Sequence, residues 1–154
     1  MKEKEISGIK LLGEVKRAKL ADVNCIFELM RKPVREGKVL FRPKSELVRR
    51  IKDFFVYQSG EKAVGCAALR IWTRNAGEIQ SLVVSPEHIG KGVATKLIEQ
   101  CLKEAKNLGL FSVFMLTYEA ELARKMGFKK TNRLPEIVRT ERFIRLDKIY
   151  RLDL

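Results

Sequence analysis

The chain has 154 residues, of which 45% are hydrophobic and 33% charged. That is long enough to bury a core without disulfide or metal staples, too apolar for a disordered tail and too charged for a membrane protein. No apolar run approaches the roughly 18 residues of a spanning helix, and no apolar stretch follows Met1-Lys-Glu-Lys-Glu, so one cytoplasmic domain spanning 1–154 is expected, with no secretory leader and no membrane partner.

Thirty-two Lys and Arg against nineteen Asp and Glu leave a net charge of +13. Such an excess suits phosphate contacts with nucleic acid, attraction of a small anionic ligand, or a solubilising surface. The charges are scattered along the chain rather than gathered in a tail, and only Trp72 and Tyr57 stand near strand ends as stacking aromatics, which argues against a nucleic-acid partner. The three cysteines, Cys25, Cys66 and Cys101, are far apart, form no Cys-x-x-Cys and lie among apolar neighbours, so they read as buried structural thiols. His88 is the single histidine, which excludes a multi-histidine metal site, and no metal is expected.

In chain order, residues 1–13 read as a loosely held arm and 14–19 as a short strand. A helix from about Asp22 to Arg31, with Ile26, Leu29 and Met30 on one face, is expected to end at Pro33. Ser45 reads as the N-cap of a helix over 46–54. Residues 55–58 and 63–72, joined by Ser59-Gly60-Glu61-Lys62, read as a hairpin, and 78–84 as an apolar strand. Over 90–108, Ala94, Leu97, Ile98, Cys101, Leu102, Ala105 and Leu108 recur at helical steps, and Gly109 stops the helix. A buried strand over 111–117 and a short helix around 119–125 follow. From Phe143 the apolar residues alternate as in a final strand, while a basic residue at every third position from Arg139 to Arg151 makes a helix the competing assignment. This order indicates a layered α/β or α+β structure.

The stretch that carries chemistry is 78–95, a strand running through a glycine-bearing loop into the long amphipathic helix. The first turn of a helix presents amides without intrahelical partners and a partial positive charge. Gly90 and Gly92 remove side chains where an anion must approach the backbone, so the loop fits a diphosphate cradle.

This strand–loop–helix resembles the acyl-CoA-binding motif of the GNAT N-acetyltransferase superfamily, Arg/Gln-x-x-Gly-x-Gly/Ala. Gly92 and Ala94 match the small positions, while Ile89 replaces the leading Arg or Gln. Ala123-Arg-Lys-Met-Gly-Phe128 resembles the family's helix ending in Gly-Phe, with Ala123 where the superfamily often has an acidic tyrosine. Arg17-Ala-Lys-Leu-Ala-Asp22, Gly37-Lys-Val-Leu-Phe-Arg42, Val64-Gly-Cys-Ala-Ala-Leu69, Gly77-Glu78-Ile, Phe114-Met-Leu-Thr117 and Leu134-Pro-Glu136 resemble, in order, the acetyltransferase domain of N-acetylglutamate synthase. No amino-acid-kinase domain precedes them, so the resemblance is to a short, single-domain form.

The resemblance implies a GNAT fold, a mixed central sheet flanked by helices and splayed at the acyl-CoA site. It implies an enzyme that moves the acetyl group of acetyl-CoA to L-glutamate, a step in arginine biosynthesis. Acetyl transfer needs a neutral amine, donors for a developing oxyanion and a proton for the leaving thiolate. Glu78 takes the place of the family's base, and Thr117 or the adjacent Tyr118 that of the acid. The loop and helix start, Ile89, Gly90, Lys91, Gly92, Val93, Ala94 and Thr95, would hold acetyl-CoA, with the main chain of Leu82, Val83 and Val84 along the pantetheine arm. Arg42 matches the arginine that takes the glutamate carboxylates, and Arg145 approximates a second. The alternatives are an acetyltransferase for another amine or a protein N-terminus, or a non-catalytic nucleic-acid-binding module. The final strand offers an edge through which a homodimer could form.

Overall fold

Three strands within residues 54–84, buried on both faces for most of their length, build the centre of the molecule. The computed structural model describes residues 5–6, 9–10, 13–141 and 148–154. Its main sheet has seven strands in the order β3-β4-β5-β6-β7-β9-β8. These are β3 (Glu14–Arg17), β4 (Phe54–Ser59), β5 (Lys62–Ile71), β6 (Ala76–Val84), β7 (Ser112–Leu116), β8 (Lys129–Lys130) and β9 (Ile149–Asp153). All pairings are antiparallel except β6 with β7, which makes the sheet mixed. Within the expected N-terminal arm, β1 (Glu5–Ile6) and β2 (Ile9–Lys10) pair with each other, separately from the main sheet.

Alternate residues of the strands feed two apolar layers. Phe55, Tyr57, Leu69, Ile79, Val113 and Met115 pack with α3 (Val93–Asn107) through Val93, Leu97, Ile98, Cys101 and Ala105. Phe54, Val56, Cys66, Ala68 and Val83 face α1 (Val23–Arg35) and α2 (Lys44–Arg49) through Val23, Ile26, Met30 and Leu47. The helix α4 (Ala120–Lys125) joins the first layer through Ala123. The helix α5 (Glu136–Glu141) sets Val138 against Trp72 and Phe114. Gly65 lets α3 lie close to the sheet, since a Cβ there would stand 2.9 Å from Val93 Cγ1 and 3.1 Å from Leu97 Cδ1.

Several expected boundaries move. Pro33 lies inside α1 rather than ending it. Its fixed φ suits a helix, it removes only one backbone donor near the end, and the amide of Glu36 still reaches Lys32 O at 3.0 Å. Ser45 is not an N-cap: Pro43 precedes α2, which stops at Arg49, and a short 3₁₀ turn, Ile51–Asp53, leads into β4. Burial decides this, because Phe54 is fully enclosed as the first residue of a strand. The long helix begins at Val93 because Gly90 and Gly92 have φ of +80° and +82°. The helix α5 overlaps only the start, from Arg139, of the stretch where a helix competes with the final strand. The final strand covers only 149–153, and residues 142–147, including Arg142 and Arg145, lie outside the described residues. No helix among the described residues is long and apolar enough to cross a membrane.

Cys66 and Cys101 are buried and Cys25 is partly exposed. Burial pushes both buried thiols up to about 12, which keeps them protonated at neutral pH. An aromatic disulfide reagent should therefore label at most Cys25 rapidly in the native protein and all three cysteines after denaturation. The check is absorbance of the released thiolate, with labelled peptides identified by mass spectrometry.

Candidate active site

The β6–β7 ladder is short. Ala76, Gly77 and Glu78 pair with Ser112, Val113 and Phe114, and the register ends there. Beyond Glu78 the two strands part, β6 continuing to Val84 and β7 to Leu116. A cavity of about 680 Å³ fills the cleft. Its walls are Glu78–Val84 of β6, Met115–Glu119 at the end of β7, the loop and start of α3, and Lys38, Leu40 and Arg42 from the α1–α2 connection.

One rim is the loop into α3. Gly90 and Gly92 both adopt the left-handed conformation that a side chain disfavours. Gly92 is the N-cap and provides no side-chain cap for the first turn. Val93, Ala94 and Thr95, whose amides belong to that turn, line the cavity together with Ile89, Gly90 and Gly92. Nothing lies within 4 Å of where a Gly90 Cβ would stand. Positive electrostatic potential and open backbone therefore coincide, as an anionic diphosphate requires.

The opposite wall carries a polar chain beneath the cavity. Glu78 is 2% exposed, and its Oε1 accepts from Trp72 Nε1 at 2.9 Å and Gln80 Nε2 at 2.8 Å. Gln80 Oε1 in turn accepts from Arg42 Nη2 at 2.9 Å and Arg50 Nη1 at 3.2 Å. Arg42 also donates from Nε to Ser81 Oγ at 3.2 Å and from Nη1 to Glu46 Oε1 at 3.1 Å.

A bulge makes this geometry. Ala68 pairs with Gln80 and Cys66 with Val83, so Ser81 and Leu82 together oppose Ala67. Ser81 has φ of +53°, the only positive φ among described non-glycine residues. The extra residue lets consecutive side chains, Gln80 and Ser81, both reach Arg42.

The structure thus brings Glu78, Thr117, Tyr118, Leu82, Val83, Val84, Arg42 and the α3 loop onto one cavity. Lys91, on the turn between the two left-handed glycines, is exposed and lies outside the cavity walls. Arg145 lies outside the described residues. Thr117 Oγ1 accepts from the Glu119 amide at 2.9 Å, and Tyr118 is half-exposed with Lys148 Nζ 5.2 Å from its ring centre. Trp72, Gln80, Ser81 and Arg50 were missed. Trp72 was legible only as a strand-end aromatic, although the tight 73–75 turn returns the chain so that Trp72 N meets Ala76 O at 3.1 Å. Among the described residues no group of three or more His, Cys, Asp or Glu side chains could hold a metal ion.

Residues 24–128 match the model of the acetyltransferase (GNAT) family. The chain belongs to the GNAT family. It is an acetyltransferase, and its sheet, parted at β6 and β7, is the fold of that family. An uncharacterized N-acetyltransferase of Chlorobaculum tepidum is 32% identical over 116 residues, covering 75% of each chain. An amino-acid acetyltransferase of Mycobacterium tuberculosis is 31% identical over 125 residues, covering 79% of this chain and 71% of its own. N-acetylglutamate synthase from Neisseria gonorrhoeae, solved with coenzyme A and N-acetyl-glutamate, superposes with a TM-score of 0.84 at 26% identity, over 92% of this chain and 35% of that one.

In this acetyltransferase the bulge has a measurable consequence. A β-branched residue is strained at the φ of Ser81, so Ser81→Val should cost roughly 1–3 kcal/mol. Ser81→Gly relieves the backbone while losing one hydrogen bond, and should fall within about 1 kcal/mol of the parent. Urea denaturation of the two variants checks the difference.

Proposed function

We propose that this enzyme transfers the acetyl group of acetyl-CoA to the α-amino group of L-glutamate. The observation that carries the reading is the buried Glu78 carboxylate, placed where β6 and β7 part and joined to Arg42 by two hydrogen bonds through Gln80. The amino-acid acetyltransferase relatives and the structural neighbour bound to coenzyme A and N-acetyl-glutamate support the substrate pair.

In this reading the amides at the start of α3 and the backbone around Gly90 and Gly92 receive the diphosphate of acetyl-CoA. Past Glu78, β6 has no strand partner on its β7 side among the described residues. Those peptide groups of Leu82, Val83 and Val84 that face away from β5 are therefore available to an amide-bearing arm and to the thioester oxygen. Arg42 faces the substrate carboxylate as a guanidinium already oriented by Ser81 and Gln80, a two-pronged donor held in place before the ligand arrives.

Glu78 takes the proton of the substrate ammonium, directly or through a water. The amine nitrogen then bonds to the thioester carbon, and the carbon–sulfur bond breaks. The sulfur leaves as a thiolate and takes a proton from a hydroxyl at the end of β7, where Thr117 and Tyr118 both line the cavity, and the second proton shed by the nitrogen as the amide forms restores that hydroxyl. The products are N-acetylglutamate and CoA.

The direct test follows free thiol from acetyl-CoA with a panel of amino acids and amines. Glutamate should be the preferred acceptor, and turnover of a different amine with none of glutamate would overturn the substrate assignment. Glu78→Gln keeps the size of the side chain but not its basicity. Its turnover should fall by about 10²–10⁴-fold near neutral pH, with acetyl-CoA binding by calorimetry unchanged. The defect should shrink as pH rises and the amine becomes neutral unaided. Arg42→Lys replaces a fork by a point charge, so the KM for glutamate should rise roughly tenfold or more, while amines without a carboxylate are indifferent.

A further inference from the structure

We infer that Gln80 and Trp72 are positioning residues for the acetyl transfer, holding the Glu78 carboxylate in register with the carboxylate-binding guanidinium of Arg42. The inference rests on the reading of Glu78 as the base and of Arg42 as the substrate contact.

The orientation of the Gln80 amide is dictated by its surroundings. On one side stand two guanidinium donors, Arg42 Nη2 at 2.9 Å and Arg50 Nη1 at 3.2 Å, and only an oxygen can accept from them. On the other side stands the Glu78 carboxylate at 2.8 Å, which only accepts, so the amide NH₂ must face it. A flipped amide would set donor against donor and acceptor against acceptor. Gln80 is 5% exposed, and water cannot readily relieve such a mismatch. The side chain therefore acts as a fixed two-ended link: a displacement of Arg42 is passed to the position of Glu78, and the reverse.

Trp72 completes the hold on Glu78 alone. Its indole Nε1–H donates to the same Oε1 at 2.9 Å. The ring is fixed by Phe114 and Val138 and by the Arg70 guanidinium, 3.7 Å from the ring centre. Arg50 steadies the far end, its Nε 3.1 Å from Asp53 Oδ2. The donors Trp72 and Gln80 come from different places, the residue just past the end of β5 and the middle of β6. Their removal should therefore have separable effects.

The test compares three variants by steady-state kinetics, varying acetyl-CoA and the amino acid separately, with Glu78→Gln measured alongside. Trp72→Phe keeps the aromatic packing and loses one donor to Glu78. Its kcat should fall roughly 10- to 100-fold with the KM for the amino acid unchanged. Gln80→Glu keeps an acceptor for the two arginines but replaces the donor to Glu78 by a repelling carboxylate, so it too should lower kcat while leaving that KM near the parent value. Gln80→Met loses both ends, and should lower kcat and raise the KM. Acetyl-CoA binding by calorimetry, unchanged in all three, establishes that each variant is folded. If Glu78→Gln loses turnover but the three variants retain parental kcat and KM, the link is structural only and the inference is overturned. A uniform loss in which Gln80→Glu fails to restore the KM of Gln80→Met overturns it as well. Unchanged turnover in Glu78→Gln overturns the reading of Glu78 as the base, and the inference with it.

Discussion

The molecule depends on the parting of two parallel strands. Three paired positions hold β6 to β7, and after Glu78 the ladder stops while both strands continue. An open edge inside a sheet exposes backbone donors and acceptors, and leaving one buried without a partner costs about 1–3 kcal/mol. Here those groups border a cavity instead of a dry core. The same parting leaves the buried Glu78 side chain lining the foot of the cleft.

The antiparallel side of β6 is what allows the parting. Registered pairs with β5 at Ile79, Gln80, Val83 and Val84 keep β6 in the sheet where β7 has left it. The bulge at Ser81 and Leu82 adds one residue and turns two consecutive side chains toward α2. Two arginines are thereby gathered beneath the cavity, a costly arrangement unless each charge is paired. Glu46 and Asp53 supply the pairing, 3.1 Å from Arg42 Nη1 and 3.1 Å from Arg50 Nε respectively. The neutral Gln80 then joins this charged group to a buried carboxylate without adding a charge of its own.

The large positive charge finds a place in this scheme. Lys38, Lys125 and Lys148 line the cavity beside Arg42, so part of the +13 surrounds a pocket rather than a flat surface. These four basic side chains outnumber the carboxylates of Glu78 and Glu119 in the same lining, and a net positive cleft concentrates small anions. Among the described residues most other basic side chains are exposed, and Arg17 shows a second use of such a residue. It pairs with Glu104 at 2.7 Å and lies 4.4 Å from the Phe55 ring centre, tying β3 to α3.

Sustained apolar patterning was legible in the sequence by itself. The long helix repeats its apolar residues every three to four positions, while the hairpin of β4 and β5 and the strand of Glu78 are short, nearly continuous apolar runs, as strands covered on both faces require. The resemblance to acetyltransferases rests on the same segments, so Glu78, Arg42, Thr117, Tyr118 and the α3 loop could be named before their placement was seen. What only the tertiary structure decided lacks a period. Pro33 continues a helix because only one hydrogen bond near its end is at stake, and Phe54 opens a strand because the enclosed space around it outweighs helical spacing. The turn at Lys91 and the bulge at Ser81 are set by backbone dihedrals that no side-chain pattern encodes. The roles of Trp72 and Gln80 follow from partners on other strands and helices, brought within hydrogen-bond distance only when the sheet closes.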